Sequence, residues 1–311
     1  MKKHLHKICP PYIPFSYRQF LVLRKVYRQS RARLAEMVAK KLKPENIIPD
    51  GTGVWPSEGY WFIADNPAAI NKCARWIDED LSREAMRSVR NRMNELKKTL
   101  KSKRLSFCSP AGTFVPETYL ESTQRRKDWE NYWIIAHSGV KKGDQVLDIG
   151  GASTLFAFYL AGLGCQVNVI DNDWGNCATV YNTNYVAKKM KWNLTALDRD
   201  ISKPLPFPDN HFDCVFSICV IEHLPSSIRR FMMKEVARVL KPGGMAGLTT
   251  DYDHQRKVLL TDKGLRFAYY DKLSEDIIKP SGLQIYGNTD FVDAFDPKEN
   301  FLGAFFLMKN R

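Results

Sequence analysis

The sequence predicts an α/β protein: a doubly wound sheet of seven mostly parallel strands, the last one antiparallel, with a helical extension at the N-terminus. Three observations carry this. From residue 129 onward, short apolar runs of strand length alternate with stretches of helical periodicity, which is the pattern of parallel strands joined by right-handed crossovers. The last two strand candidates have no helix between them, so they are expected to pair antiparallel. The first part of the chain lacks this alternation and is charged differently. Residues 1–128 hold 26 Lys/Arg against 13 Asp/Glu, whereas residues 129–311 hold 21 of each, so the whole net charge of +13 lies in the extension. The domain boundary is therefore placed at 128/129.

In the extension, Phe20, Leu23, Tyr27, Leu34, Val38 and Leu42 recur mostly at spacings of three and four and predict an amphipathic helix over 17–42. After a Gly/Pro/Trp-rich loop, Asn66 and Pro67 have the order of a helix cap and first turn. Ile70, Ala74, Ile77, Leu81, Ala85, Val89, Met93, Leu96 and Leu100 then predict one long helix ending in the cationic run KKTLKSKR. Trp129, Trp133, Ala136 and His137 share a helical face that Gly139 terminates. Strands follow at 145–149, 166–170, 193–197, 213–219, 245–250, 283–287 and 302–308. Helical stretches lie at roughly 152–162, 175–190, 226–240 and 271–280, and Gly243 and Gly244 read as a helix-to-strand turn.

Composition excludes several classes. Seven scattered cysteines without a C-x-x-C pair give neither a disulfide framework nor a zinc site, and no metal is expected. Pro10, Pro11 and Pro14 break the N-terminal apolar run, and no run of about 18 apolar residues occurs elsewhere. The expectation is a cytoplasmic protein without a transmembrane segment. The basic extension suits an anionic partner, although solvated helix faces would carry the same charge.

In an open parallel sheet, ligands bind beyond the carboxyl ends of the strands. Here those ends are polar. The first gives Asp148, Gly150, Gly151 and Ala152; the second gives Asp171, Asn172 and Asp173. The third gives Asp198, Asp200 and Ile201, and the fourth gives Ser217, Glu222 and His223. An acid about 20 residues after a glycine turn has the spacing to accept ribose hydroxyls. The turn reads Gly-Gly-Ala-Ser-Thr, with no G-x-G-x-x-G and no phosphate loop anywhere, so a cofactor with a ribose but no phosphate fits best. Asp148 as a helix cap, Asp198 and Asp200 as turn acids, and His223 as a structural histidine remain open as alternatives. Cys214 and Cys219 read as core residues.

With those residues in place, the segment 129–311 resembles the class I S-adenosylmethionine-dependent methyltransferases, a Rossmann-like family. VLDIGGAST resembles the first motif, VIDND the ribose-binding acid loop, DRDISKPLPFPDNHFDCVFSICVIEHL the adenine-contact acid and the methyl-facing strand, and LKPGGMAGLTT the turn into the fifth strand. The resemblance implies S-adenosylmethionine as cofactor, with Asp148, Gly150, Gly151, Ala152, Asp171, Asn172, Asp200, Ile201 and Ser217 as its contacts. Thr154 stands where the family often has a third alternating glycine. A sulfonium methyl is already activated, so the protein's main task is alignment at roughly 3 to 3.5 Å and exclusion of water. If the acceptor is a hydroxyl, His223 is the placed base, and Glu222, Tyr252 and Asp253 are candidates for lining the acceptor pocket.

The IEHL strand end resembles the small-molecule branch, and the catalytic tetrapeptide N-P-P-[YF] and the P-C dipeptide of base-modifying relatives are absent. A small-molecule or glycan acceptor, methylated on oxygen, is the expectation, and the order of motifs is reminiscent of methyltransferases of bacterial polysaccharide pathways. The alternatives are a nucleic-acid methyltransferase that binds phosphates through the basic extension, or a cofactor-binding protein without catalysis. Oligomeric state is not encoded in any motif.

Overall fold

The computed structural model describes residues 70–74, 78–107, 117–172, 178–252, 273–288, 292–294 and 301–311. The predicted helix over 17–42 lies outside these residues. All described residues belong to one compact unit, Gly53–Arg311.

Strand β1 (Lys72–Ala74) is followed by α1 (Asp78–Ser82), α2 (Glu84–Ser102) and α3 (Glu117–His137). The alternating part comprises β2 (Gln145–Ile149), α4 (Leu155–Leu163), β3 (Gln166–Asp171), α5 (Thr179–Met190), β4 (Leu194–Asp198) and β5 (Phe212–Ile218). A 3₁₀ turn (Ile221–His223), α6 (Ser226–Val239) and the long β6 (Leu240–Tyr252) come next. A π-helical turn (Ser274–Ile278) runs into the short α7 (Lys279–Ser281), ahead of β7 (Gln284–Ile285), β8 (Val292–Ala294) and β9 (Phe301–Met308).

All seven expected strands are present, and the sheet runs β4-β3-β2-β5-β6-β9-β1-β8, with β7 also on β9. β2 through β6 are parallel, and β9 is antiparallel to β6 and β7. Because the chain steps outward from β2 to β4 and then returns to β5 on the other side of β2, the ends of β2 and β5 flank the switch point.

Both faces of the sheet are covered. Val146, Phe216 and Phe306 join the cluster under α2, α3, α4 and α5, while Leu147, Val215 and Phe305 join the cluster against α6. Neighbouring residues thus point to opposite cores, which is why these strands are continuous apolar runs rather than alternating ones. Gly243, expected in a helix-to-strand turn, instead lies inside β6 with φ +78°, and the β5–β6 register shifts between Phe212 and Cys214.

One expectation is corrected. The stripe from Ile70 to Leu100 is not a single helix: Lys72–Ala74 form β1, and the helices start at Asp78 and Glu84. Met86, Val89, Met93 and Leu100 form the buried face of α2, whereas Ala85 is exposed. The reason is a tertiary demand that local periodicity does not express. The outer edge of β9 has β1 along Leu302–Ala304 and β7 along Leu307–Met308, leaving Phe306 between them. Tyr286 N donates to the Phe306 carbonyl (2.9 Å), and the Phe306 N–H donates to Asn71 Oδ1 (2.7 Å). The Asn71 amide in turn donates to the carbonyls of Tyr286 (2.7 Å) and Asn288 (2.8 Å). A fully buried asparagine thereby completes the ladder where two edge strands meet.

Replacing Asn71 by Ala leaves a buried N–H and two part-buried carbonyls without these bonds. Urea unfolding of Asn71→Ala is expected to show a loss of about 2 to 4 kcal/mol. A loss below about 0.5 kcal/mol would show that the gap is not sealed this way.

Candidate functional site

The sheet's carboxyl edge gathers the residues that the motifs singled out. β2 ends in Asp148, which is fully buried, and neither carboxyl oxygen has a hydrogen-bond partner. It does not cap α4. Thr154 does, accepting from Ala157 N (3.3 Å) and donating to the Gly151 carbonyl (2.7 Å). The position where a third alternating glycine was expected is therefore the helix cap, and Ala157 N is satisfied within the chain.

The two glycines are each required. Gly150 has φ +81°, and a side chain there would collide with Val220. A side chain on Gly151 would collide with the Asp148 carboxylate. The loop thus lies directly on the acid beneath it and on the tip of β5 beside it. Asp171, at the end of β3, accepts from Ala152 N (3.0 Å) and Asn172 N (2.8 Å), so its carboxylate is held facing the same loop. Ser153 N donates to Thr183 Oγ1 (2.6 Å) and Asn182 Nδ2 donates to Ser153 Oγ (2.7 Å), fixing the far side of the loop to α5.

Burial, and then the nearby Asp171, push the Asp148 carboxyl up to about 8. A buried carboxyl without a hydrogen bond, next to a second acid, is costly for a folded chain unless a cation or donor completes it. S-adenosylmethionine carries an ammonium and a sulfonium as well as ribose hydroxyls, so the donor set fits: an unpartnered acid, a glycine cradle and a fixed carboxylate on adjacent strand ends.

The other predicted residues are placed as follows. Asp200 is exposed, and its carboxylate accepts from Ser202 N (2.8 Å), a bond that lowers its pKa. Ile201 beside it is half-buried. Ser217 is buried with its Oγ unbonded; it lies one residue after Phe216, the register partner of Asp148, so it points to the opposite face of the sheet. Glu222 is fully buried, and His223, exposed at 55%, has its Nε2 3.8 Å from Glu222 Oε1. Tyr252 ends β6 with its side chain outside the described residues, and Asp253 and Asp173 lie outside them entirely. Among the described residues no cluster of metal ligands occurs.

Sequence reasoning missed a polar group that α3 delivers to the tip of β5. Glu130 is fully buried; its Oε1 accepts from Thr249 Oγ1 (2.8 Å), and the same Thr249 hydroxyl accepts from Cys219 N (3.0 Å). Lys127, one turn earlier, has its Nζ 3.2 Å from Glu130 Oε2 and hydrogen-bonds the Cys219 thiol. Burial would lower the Lys127 pKa, but Glu130, Cys219 and Glu222 outweigh it and hold the ammonium above the ordinary lysine range. Cys219, expected in the core, is half-buried with φ +57°, because the chain turns there from β5 toward Val220. The available signal was Glu130 itself, an acid set between Trp129 and Trp133 on an otherwise apolar helix face.

Behind this tip, the buried Arg229 donates to the Leu224 carbonyl (2.6 Å) and to Asp276, which also accepts from Ser226 (2.6 Å) and Arg230 (2.8 Å). This pair ties the 3₁₀ turn to α6 and the π-helical turn, and so fixes where Glu222 and His223 stand.

Residues 147–248 match the family described as methyltransferase domain. The chain is 38% identical over 122 residues to a ubiquinone/menaquinone biosynthesis C-methyltransferase of Pseudomonas fluorescens, covering 37% of this chain and 44% of that protein. It is 30% identical over 123 residues to a sterol 24-C-methyltransferase of Pneumocystis carinii, covering 37% and 29% respectively. The chain thus spans less than half the length of these curated relatives. Among solved structures, a SAM dependent methyltransferase from Aquifex aeolicus superposes with a TM-score of 0.46 at 17% identity, over 63% of this chain and 99% of that one.

The Asp148 carboxyl gives a test that needs no ligand. Its folded pKa is raised above its unfolded one, so its contribution to stability is full at low pH and is lost as pH rises from about 4 through about 8. Thermal melts of the unliganded protein are expected to show the stability advantage of wild type over Asp148→Asn shrinking between pH 5 and pH 8. A difference independent of pH would mean that the acid is not held neutral.

Proposed function

We propose that this chain, a class I S-adenosylmethionine-dependent methyltransferase, transfers the cofactor's methyl group to a small-molecule acceptor bound at the tip of β5. The observation that carries the reading is the unpartnered, fully buried Asp148 carboxyl beneath Gly150 and Gly151, next to Asp171. The bound cofactor would supply an activated methyl on a sulfonium. Asp171, held by the backbone of Ala152 and Asn172, would accept the ribose hydroxyls. Asp148 would face the methionine part and ionise there, and Gly150 and Gly151 would let that part lie against the backbone. Asp200 and Ile201, beyond β4, would border the adenine, with Ser217 supporting the floor from the other face.

The chain's part in the reaction is alignment and exclusion of water. Val220 makes the wall beside Gly150 apolar, and the Arg229–Asp276 pair holds the turn that carries Glu222 and His223. For a hydroxyl acceptor, the exposed His223 would take the proton. The relatives named above are C-methyltransferases, which supports an acceptor whose reacting atom is carbon as a second form of the same reading. A glycan acceptor, a cytoplasmic location and a separate acceptor-selecting role for residues 1–128 remain part of the proposal. Nucleic acid is the weaker alternative, because its support is the charge of the extension alone.

Labelled methyl from S-adenosylmethionine, offered to a cell extract divided into RNA, protein, lipid and soluble glycan pools, is expected to enter the lipid or soluble glycan pool. Labelling of RNA alone would overturn the acceptor class. Asp171→Ala is expected to weaken S-adenosylmethionine binding by about 2 to 3 kcal/mol in calorimetry, and unchanged affinity would remove Asp171 from the cofactor site. His223→Ala is expected to lower turnover about 100-fold while leaving that affinity intact. Equal turnover would make it structural.

A further inference from the structure

Lys127 and Glu130 are outside every motif, yet they reach the tip of β5, where the acceptor is proposed to lie. Cys219 directly follows β5, and the next residue, Val220, packs on Gly150 of the cofactor loop. A group hydrogen-bonded to Cys219 is therefore one residue away from the wall of the proposed cofactor site. Lys127 is such a group, and α3 brings it there because Glu130, one turn on, is anchored through Thr249 to the backbone of Cys219.

The surroundings differ from those of a lysine that only balances buried acids. An ammonium has three donors. The Lys127 Nζ is ion-paired with Glu130 Oε2 at 3.2 Å, and it hydrogen-bonds the Cys219 thiol. The side chain is still 47% exposed, although its acidic partner is completely buried, so Lys127 borders open space on one side of the cluster. Glu130 and Glu222 keep it charged, which rules it out as a base and fits it to hold a negative oxygen. A fixed cation beside the reacting centre is what lowers the cost of charge on an acceptor.

We propose that Lys127 binds the acceptor, and that the acceptor presents to it an anionic oxygen that is itself methylated or is conjugated to the carbon that is. This rests on the methyltransferase reading above and narrows its substrate to phenolate-, enolate- or carboxylate-type acceptors. The acceptor loses its proton to water or to His223. Its electron pair then forms the bond to the methyl carbon while the pair of the broken carbon–sulfur bond stays on sulfur. Lys127 keeps its proton throughout and stabilises the oxyanion before transfer.

The test uses the full chain, S-adenosylmethionine labelled in its methyl group, and the extract pool that wild type labels. Lys127→Gln is expected to bind the cofactor within about two-fold of wild type and to lose roughly 10- to 100-fold in kcat/KM, the size of a lost hydrogen bond to a charged group. Its acid limb in the pH–rate profile is expected to move upward, since the acceptor no longer ionises beside a cation, and Lys127→Arg is expected to recover most of the rate. Alkylation of Cys219 by iodoacetamide, mapped by mass spectrometry, is expected to slow in Lys127→Gln, because the cation that favours its thiolate is gone. Undiminished transfer by Lys127→Gln with an unmoved pH profile overturns the inference while leaving the methyltransferase reading intact. If wild type labels no pool, the methyltransferase reading falls, and this inference with it. If both variants lose cofactor binding, Lys127 is a scaffold residue and the inference is overturned.

Discussion

Val220 resting on Gly150 is the contact on which the site is built. It joins the tip of β5 to the loop after β2 at the point where the sheet's winding reverses, and it requires a residue without a side chain at φ +81°. Everything functional is arranged around it. On one side the loop is pressed onto Asp148 and steered by Asp171. On the other, Cys219 is held by Thr249, Thr249 by Glu130, and Glu130 by its place on α3. A larger residue at 150 would part the two strands' tips, and the proposed cofactor loop and acceptor-side cluster would no longer share a wall.

The residues within one motif were legible in the sequence, and those assembled from distant segments were not. Asp148, Gly150, Gly151 and Asp171 sit at strand ends that local apolar runs mark out, and parallel strands bring such ends to one edge whatever the intervening helices contain. Thr154 broke the expected glycine spacing, and a helix-capping bond explains it locally. Lys127, Glu130, Thr249 and Cys219 come from three elements up to 122 positions apart, and nothing in the spacing of any one of them signals the others. Cys219 was misread because a cysteine after an apolar strand is usually core; the left-handed turn at that residue takes it out of the strand's burial pattern.

The same distinction explains the one error in the fold. Ile70 to Leu100 has a helical period over most of its length, and the period is right for α2. Lys72–Ala74 depart from it because β9 has an edge to cover, and the Phe306 N–H needs an acceptor that only a buried side chain such as Asn71 supplies. Backbone hydrogen bonding at a sheet edge outweighs a helical propensity of a few tenths of a kcal/mol per residue.

The charges at the carboxyl edge have a logic that the net charge of +13 conceals. Asp148 and Glu130 are buried within a short reach of Asp171 and Glu222, and close packing leaves Asp148 with no partner from the chain. Burial and the nearby Asp171 raise the Asp148 pKa, and an acid placed in this way destabilises the unliganded state. A ligand carrying positive charge relieves that repulsion as it binds, so the binding free energy includes the release of a cost already present in the empty fold. Lys127 supplies a cation at the opposite end of the cluster, where a ligand of negative charge would find its complement. The edge thus carries acids alone over the glycine loop and an ammonium set among acids where α3 meets β5. Under the proposed function, an arrangement of this kind would orient a positively charged donor and a negatively charged acceptor toward each other before either is brought into contact.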